Sequence, residues 1–135
     1  MSRFATALVL CLAAALPAQA NEDEWARLRE DPTISEGLVI FATARHIQNR
    51  CPDISARRMR ALSFVNGLIA DATDLGYSRD EIREYVMDET EQERIRAIAD
   101  ERLAARGASP TMMEGYCTVG REEMAAGTTL GRLLR

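Results

Sequence analysis

The sequence contains no lysine, and all 17 of its basic residues are arginine. Schiff-base chemistry, a Ser-Lys dyad and a Walker A phosphate loop all require lysine, so the sequence excludes them. His46 is the one histidine, which excludes a zinc or copper site built from several histidines of one chain. The Cys-x-x-Cys-His, Gly-x-Ser-x-Gly and Gly-x-Gly-x-x-Gly motifs are missing too. Their absence argues against covalent haem, an α/β-hydrolase nucleophile and dinucleotide binding.

Long apolar runs and basic blocks are scarce beyond the first 20 residues. The longest apolar stretch there, Leu38–Ala42, is far shorter than the roughly 20 residues that span a bilayer. The whole chain has a formal net charge of −4 at pH 7. We therefore expect no membrane span in the mature chain and no nucleic acid partner.

The N-terminus has the three-part pattern of a secretory signal peptide. Arg3 is its only charge, an apolar run extends from Phe4 to Leu16, and Pro17 precedes the small-x-small sequence Ala18–Ala20. This pattern predicts cleavage before Asn21. The apolar run is too short to cross a bilayer itself.

Removal of these 20 residues from the 135 leaves a chain of 115, which is large enough for one domain with a single core. We therefore predict a signal peptide at 1–20 and a single helical domain at 21–135. The location that follows is periplasmic or secreted.

Two cysteines, Cys51 and Cys117, remain after this cleavage, because Cys11 lies within the signal peptide. An even number of cysteines in an exported chain of this size predicts a disulfide, and two cysteines allow one intramolecular pairing. The alternative is a redox-active or metal-binding pair, but the two residues lack Cys-x-x-Cys spacing.

The apolar residues recur with helical spacing, and no stretch alternates convincingly as a strand would. The sequence predicts an all-α fold: a single small domain of five or six helices with one disulfide. A third helix, with its N-cap at Ser55 and its end at Leu75, is expected to be central. Ser78 and Glu81 predict a capping box at the next helix, with a break near Asp88.

An arginine cluster breaks a local rule. Arg57, Arg58 and Arg60 occupy the first turns after Ser55, where the helix dipole disfavours positive charge, and Arg50 lies nearby in sequence. Forked guanidinium groups there could clamp a carboxylate or phosphate of a partner. The alternative is that these arginines pair with acids of the same chain.

Asn66 and Gly67 interrupt the middle of the apolar third helix, where glycine is unfavourable by roughly 1 kcal/mol relative to alanine. Two explanations are open: a close helix crossing that requires the missing side chain, or a small ligand pocket lined by Asn66. Gly127 and Gly131 are expected where the final turn approaches the rest of the domain closely.

The remaining candidates for chemistry are weaker. His46 is expected to be an ordinary surface or half-buried histidine rather than a catalytic base or ligand. The methionines are scattered, which argues against a Cu(I) site with thioether ligands. No metal or other cofactor is expected. The acids of residues 80–93 alternate with arginines at i,i+3 and i,i+4 spacing, which is typical of a solvated helix surface rather than of a catalytic carboxylate pair.

Several segments together resemble a known family. They are residues 51–57, beginning Cys-Pro-Asp, Phe64–Leu68, Gly76–Ser78, Glu81-Ile82, Tyr116-Cys117 and Gly120-Arg121. The resemblance is to a family of small exported alphaproteobacterial proteins catalogued only as a domain of unknown function. It implies an exported helical domain and transfers no catalytic residue.

These observations favour a non-enzymatic binding or interaction module whose partner is another exported protein. Two alternatives stay open. One is a periplasmic acid-stress chaperone, whose acids would be neutralised at low pH and release apolar helix faces. The other is a small carboxylate-based hydrolase.

Overall fold

The structure of the protein is a computed structural model that describes residues 24–135. The predicted signal peptide and its cleavage site lie outside the described residues. Residues 24–135 form seven helices, five of them with seven or more residues, and two isolated bridges but no strand. The predicted all-α fold is confirmed. In chain order the helices are α1 Ala26–Glu30, α2 Pro32–Arg50, α3 Arg58–Asp74, α4 Arg79–Met87, α5 Glu89–Ala104, α6 Glu114–Ala126 and α7 Thr129–Arg132.

Local capping interactions determine where α2 and α4 begin. The Asp31 side chain accepts a hydrogen bond from the Ile34 amide at 2.9 Å, and Pro32 occupies the first position of α2. At α4 the predicted capping box is confirmed: the Ser78 amide donates to Glu81 Oε2 at 2.7 Å, and the Glu81 amide donates to Ser78 Oγ at 3.3 Å. Both starts are thus encoded within four consecutive residues.

The predicted break between α4 and α5 is also present. Asp88 ends α4 in an extended conformation, and its Oδ1 accepts a hydrogen bond from the Glu91 amide at 3.0 Å. One residue therefore terminates one helix and caps the next.

The start of α3 differs from the prediction. Ser55 is not its N-cap, because the Ser55 amide and carbonyl are both bonded to the backbone of Arg135, each at 2.8 Å. The Arg57 amide likewise donates to the Leu133 carbonyl at 2.8 Å, and α3 begins at Arg58 without a side-chain cap. The C-terminus thus takes the backbone groups that a cap would use, a long-range pairing that local sequence does not reveal.

Helix α2 is the centre of the domain. It contacts α1, α3, α5, α6 and α7 and buries residues along its whole length, among them Ile34, Val39 and Ile47. The prediction that α3 is central is wrong, since α3 buries only Leu68 and Ala72. Periodicity identified the apolar face of α3 but not how much of it other helices cover.

The buried side chains form two clusters. The larger surrounds the disulfide and consists of Ala44, Ile47, Cys51, Ile54, Leu103, Ala108, Tyr116, Cys117, Val119, Leu130, Leu133 and Leu134. The smaller consists of Leu28, Ile34, Ala72, Tyr77, Ile82 and Tyr85. Helix α2 contributes to both clusters and so joins them. Within residues 24–135, none of the helices combines the length and the hydropathy that crossing a bilayer requires.

The predicted disulfide between Cys51 and Cys117 is present, with a Cα–Cα distance of 5.1 Å. Both residues are at most 4% exposed. The bond joins the residue that ends α2 to the first turns of α6. It therefore fixes the central helix to the C-terminal part of the domain.

The surroundings of three glycines show where close packing requires the absence of a side chain. A Cβ added to Gly131 would lie 2.0 Å from the carbonyl oxygen of Glu123, so the predicted close approach of the final turn is confirmed. The same prediction for Gly127 is wrong, because a Cβ there would meet open space; Gly127 instead ends α6 with a left-handed φ of 64°. Gly67 is exposed, and a Cβ there would also meet open space, so no helix crossing requires this glycine.

We predict opposite effects for alanine at two of these positions. Gly131→Ala should lower the free energy of unfolding by about 1–3 kcal/mol, because the added methyl group overlaps backbone atoms. Gly67→Ala should raise it by up to about 1 kcal/mol, because it improves an exposed helix position without a clash. Urea denaturation of both variants measures the difference, and equal effects would contradict this packing.

Replacing Cys51 and Cys117 together by alanine should lower the free energy of unfolding by about 4 kcal/mol. The physical reason is that the bond closes a loop of sequence separation 66 and so restricts the unfolded chain. Urea denaturation followed by circular dichroism measures this loss. Reduction of the unaltered protein is the control and should produce a similar loss; an unchanged midpoint in both experiments would show that the bond is not stabilising.

Candidate functional site

A cavity of about 570 Å³ lies among α2, α3, α4 and α5. Its deepest lining side chains belong to the smaller core cluster: Leu28, Ile34 and Tyr85 are each at most 3% exposed. Towards solvent the lining is apolar but only half-buried. It includes Leu38, Phe41 and Ala42 from α2, Val65 and Ile69 from α3, and Ile95 from α5.

The cavity follows from the way these helices meet. Leu38, Phe41 and Ala42 lie on one face of α2, and Val65 and Ile69 lie on one face of α3, each set at helical spacing. Such faces are normally covered by a neighbouring helix. Here both faces border the cavity, so apolar side chains line a space open to solvent.

The polar lining of the cavity is cationic. Apart from Tyr85, the polar residues of the lining are Arg45, His46, Asn49, Gln92 and Arg96. No Asp or Glu is among the described residues that line it. Arg45, Asn49 and Arg96 are exposed, so they mark its solvent side. A patch with two arginines and no carboxylate stands out on a chain whose net charge is −4.

The two arginines are available for further interactions. The Arg45 guanidinium has no hydrogen bond or ion pair with any described residue. Arg96 donates a hydrogen bond from its Nε to the backbone oxygen of Gln92, at 3.2 Å. Sequence reasoning missed Arg45 as a site residue, although its position four residues after Phe41, on the same helix face, was a usable signal.

His46 is half-buried, as expected, and its Nδ1 lies 2.8 Å from Asp100 Oδ1. A carboxylate and the imidazole that it orients are two of the three members of a Ser-His-Asp triad. However, no Ser, Thr or Cys lines the cavity among residues 24–135. Burial, followed by the nearby Glu91 carboxylate, raises the pKa of Tyr85, so this phenol stays protonated at neutral pH. The lining therefore provides a base without a partner nucleophile.

A buried ionic network supports one side of the cavity. The Glu91 carboxylate is 5% exposed and bonds to Arg29 Nε at 2.6 Å and Arg94 Nε at 3.0 Å. Arg94 also donates to the Tyr85 hydroxyl at 3.1 Å. The Trp25 and Tyr85 rings pack edge to face, with their centroids 5.6 Å apart. These contacts connect the start of the described chain, α4 and α5 beneath the cavity.

This network also bears on the carboxylate-pair alternative. Glu91 is a buried acid, but its oxygens are bonded to two arginines, and neither described cavity is lined by an acid. Neither of these two cavities therefore brings two carboxylates of the described residues to face each other.

The predicted arginine cluster is divided between several environments. The Arg50 guanidinium lies over the Tyr116 ring, 5.6 Å from its centroid. Arg57 Nε donates to the Leu134 carbonyl oxygen at 2.8 Å. Arg58 lines a second, smaller cavity of about 270 Å³, and Arg60 is exposed.

The second cavity shares part of its lining with the first. Phe41 and Arg45 belong to both, so the second cavity places Arg58 near Arg45. The predicted pocket residues Asn66 and Gly67 are exposed and line neither cavity. Their neighbours Val65 and Leu68 do line the larger one.

Among the described residues, one cluster has the residue types of a metal site: Cys51, Asp53 and Cys117, with ligand atoms within 4.8 Å of one another. Both sulfur atoms are used in the disulfide. Asp53 instead faces Arg121, at 3.4 Å. This cluster is therefore the environment of the disulfide.

The fold and the cavity together define a small all-α domain with one disulfide and an apolar cavity bordered by arginines. The chain belongs to DUF5333, a family of unknown function, whose model matches residues 26–135. The match covers all seven helices. No curated protein and no solved structure matches the chain significantly.

Proposed function

We propose that this protein is an exported, non-enzymatic binding module and that the larger cavity is its binding site. The observation that carries the proposal is the lining of that cavity by residues 24–135: half-buried apolar side chains, with arginines and no carboxylate from these residues at the solvent side. Its volume of about 570 Å³ is within the roughly 300–1,000 Å³ typical of ligand sites.

Binding explains apolar surface that the domain does not cover itself. Leu38, Phe41, Val65 and Ile69 keep part of their surface in contact with water, although each would gain stability from burial. Contiguous apolar surface of this kind is typical of binding sites in monomeric proteins. A bound partner would cover it without rearranging the buried clusters.

The proposed export has support from the disulfide and from the N-terminal pattern. Disulfides persist mainly in oxidising compartments such as the periplasm and the extracellular space. The bond between Cys51 and Cys117 is buried and joins two helices of the core, so it is part of the folded structure. A signal peptide at 1–20 would deliver the chain to such a compartment.

The binding proposal is tested with a neutral environment-sensitive dye, N-phenyl-1-naphthylamine. Fluorescence titration of the oxidised protein at pH 7 should show saturable binding. Ile69→Trp, which fills the cavity, should weaken this binding at least about tenfold, a change of 1.4 kcal/mol. Met59→Trp is the matched control, because Met59 is on the same helix, 76% exposed and outside the lining.

Equal dye binding by both tryptophan variants would contradict the cavity as the site. Dye binding that is absent at pH 7 and develops near pH 3 would favour the acid-stress chaperone instead.

The proposed export is tested by the intact mass of the protein after expression with its own N-terminus in a host with a periplasm. We expect a chain that begins at Asn21 and lacks the two thiol hydrogens of Cys51 and Cys117. Recovery of the protein with residues 1–20 attached, or with free thiols, would contradict it.

A further inference from the structure

We infer that the larger cavity binds a single-chain amphiphile with an anionic head group, a fatty-acid carboxylate. This inference rests on the proposed function, because it requires the cavity to be a binding site, and it names the ligand class. Three features of the cavity lead to this inference: the change in the polarity of its lining with depth, its volume and the charge of its solvent side.

The polarity of the lining changes with depth. The deepest side chains, Leu28, Ile34 and Ala72, are buried and apolar. The Tyr85 hydroxyl already accepts a hydrogen bond from Arg94 within the protein. The deep part thus offers a ligand apolar contacts, whereas charged groups lie only towards solvent. A ligand that fits has an apolar end and a polar end.

The volume limits the apolar end to one chain. A group the size of a water molecule or a methylene occupies about 30 Å³. The 570 Å³ therefore corresponds to on the order of 15–20 such groups. That is enough for one alkyl chain of medium length and too little for a lipid with two long chains.

The charge of the solvent side selects the head group. Arg45 has no partner in the described chain, Arg96 has its terminal nitrogens unused, and no described acid lines the cavity. A guanidinium group matches a carboxylate with two parallel hydrogen bonds. Asp100, which is bonded to the lining residue His46, does not itself line the cavity.

Arg45 is also, with Phe41, one of the two residues that line both cavities. It lines the smaller cavity together with Arg58. The smaller cavity beside Arg45 therefore carries a second cation, from α3. The arginine cluster that stood out in the sequence thus contributes to the lining of the smaller cavity through Arg58.

The test is isothermal titration calorimetry of the exported, oxidised protein with three ligands of equal chain length: decanoate and decyltrimethylammonium, each below its micelle concentration, and decanol, below its solubility limit. We expect decanoate to bind most tightly. Arg45→Gln should weaken decanoate about tenfold and leave decanol unchanged, because a charge-assisted hydrogen bond is lost. Arg79→Gln is the matched control, since Arg79 is an exposed arginine of α4 that lines neither cavity.

Chain length gives an independent readout. Each methylene buried should tighten binding about fourfold, so decanoate should bind about 15-fold more tightly than octanoate until the cavity is filled. Retained binding of the neutral dye by Arg45→Gln shows that the cavity is intact in that variant.

Two results would overturn the inference: decanol or the cation binding as tightly as decanoate, or decanoate binding that does not change in Arg45→Gln. If the neutral dye binds and Ile69→Trp blocks it while decanoate shows no preference, the proposed function stands and the ligand class is wrong. If neither dye nor decanoate binds, both proposals fail.

Discussion

The bond between Cys51 and Cys117 is the constraint on which the arrangement of this domain depends. It holds the C-terminal end of α2 against α6 inside the larger apolar cluster. Because α2 also contributes to the smaller cluster, the bond fixes the helix that joins both parts of the core. Residues 55–57 and the C-terminus then pair across the same end of the domain. These contacts hold the C-terminal end of α2 in place, while Leu38, Phe41 and Ala42 of the same helix border the cavity.

The cavity side is held together differently. There the core is smaller, and polar contacts supplement it: Glu91 bridges Arg29 and Arg94, and Arg94 reaches Tyr85. A buried carboxylate is costly unless it is paired and hydrogen-bonded, and both arginines satisfy it here. The network defines the positions of α4 and α5 without filling the space above them. The ionic network thus holds α4 and α5 in place, and the apolar cavity beside it stays unfilled.

The sequence predicted the features that depend on neighbouring residues or on simple counting. The Ser78–Glu81 capping box and the break at Asp88 are local, and two cysteines allow only one pair. The predicted start of α3 was wrong because the Ser55 backbone is hydrogen-bonded to Arg135, which is 80 residues away in sequence.

The cavity could not be predicted for a related reason. Helical periodicity shows that Val65 and Ile69 share a face, but whether another helix covers that face depends on how far α3 stands from α2. Gly37 is one contact that sets this separation, since a Cβ there would lie 2.4 Å from Leu68 Cδ2. The missing side chain lets Leu68 reach α2, and Val65, Ile69 and Ala72, on both sides of Leu68 along α3, border the cavity beside this contact. A single glycine on the central helix thus brings the two helices together at one point, and the space beside that point is where a ligand would bind.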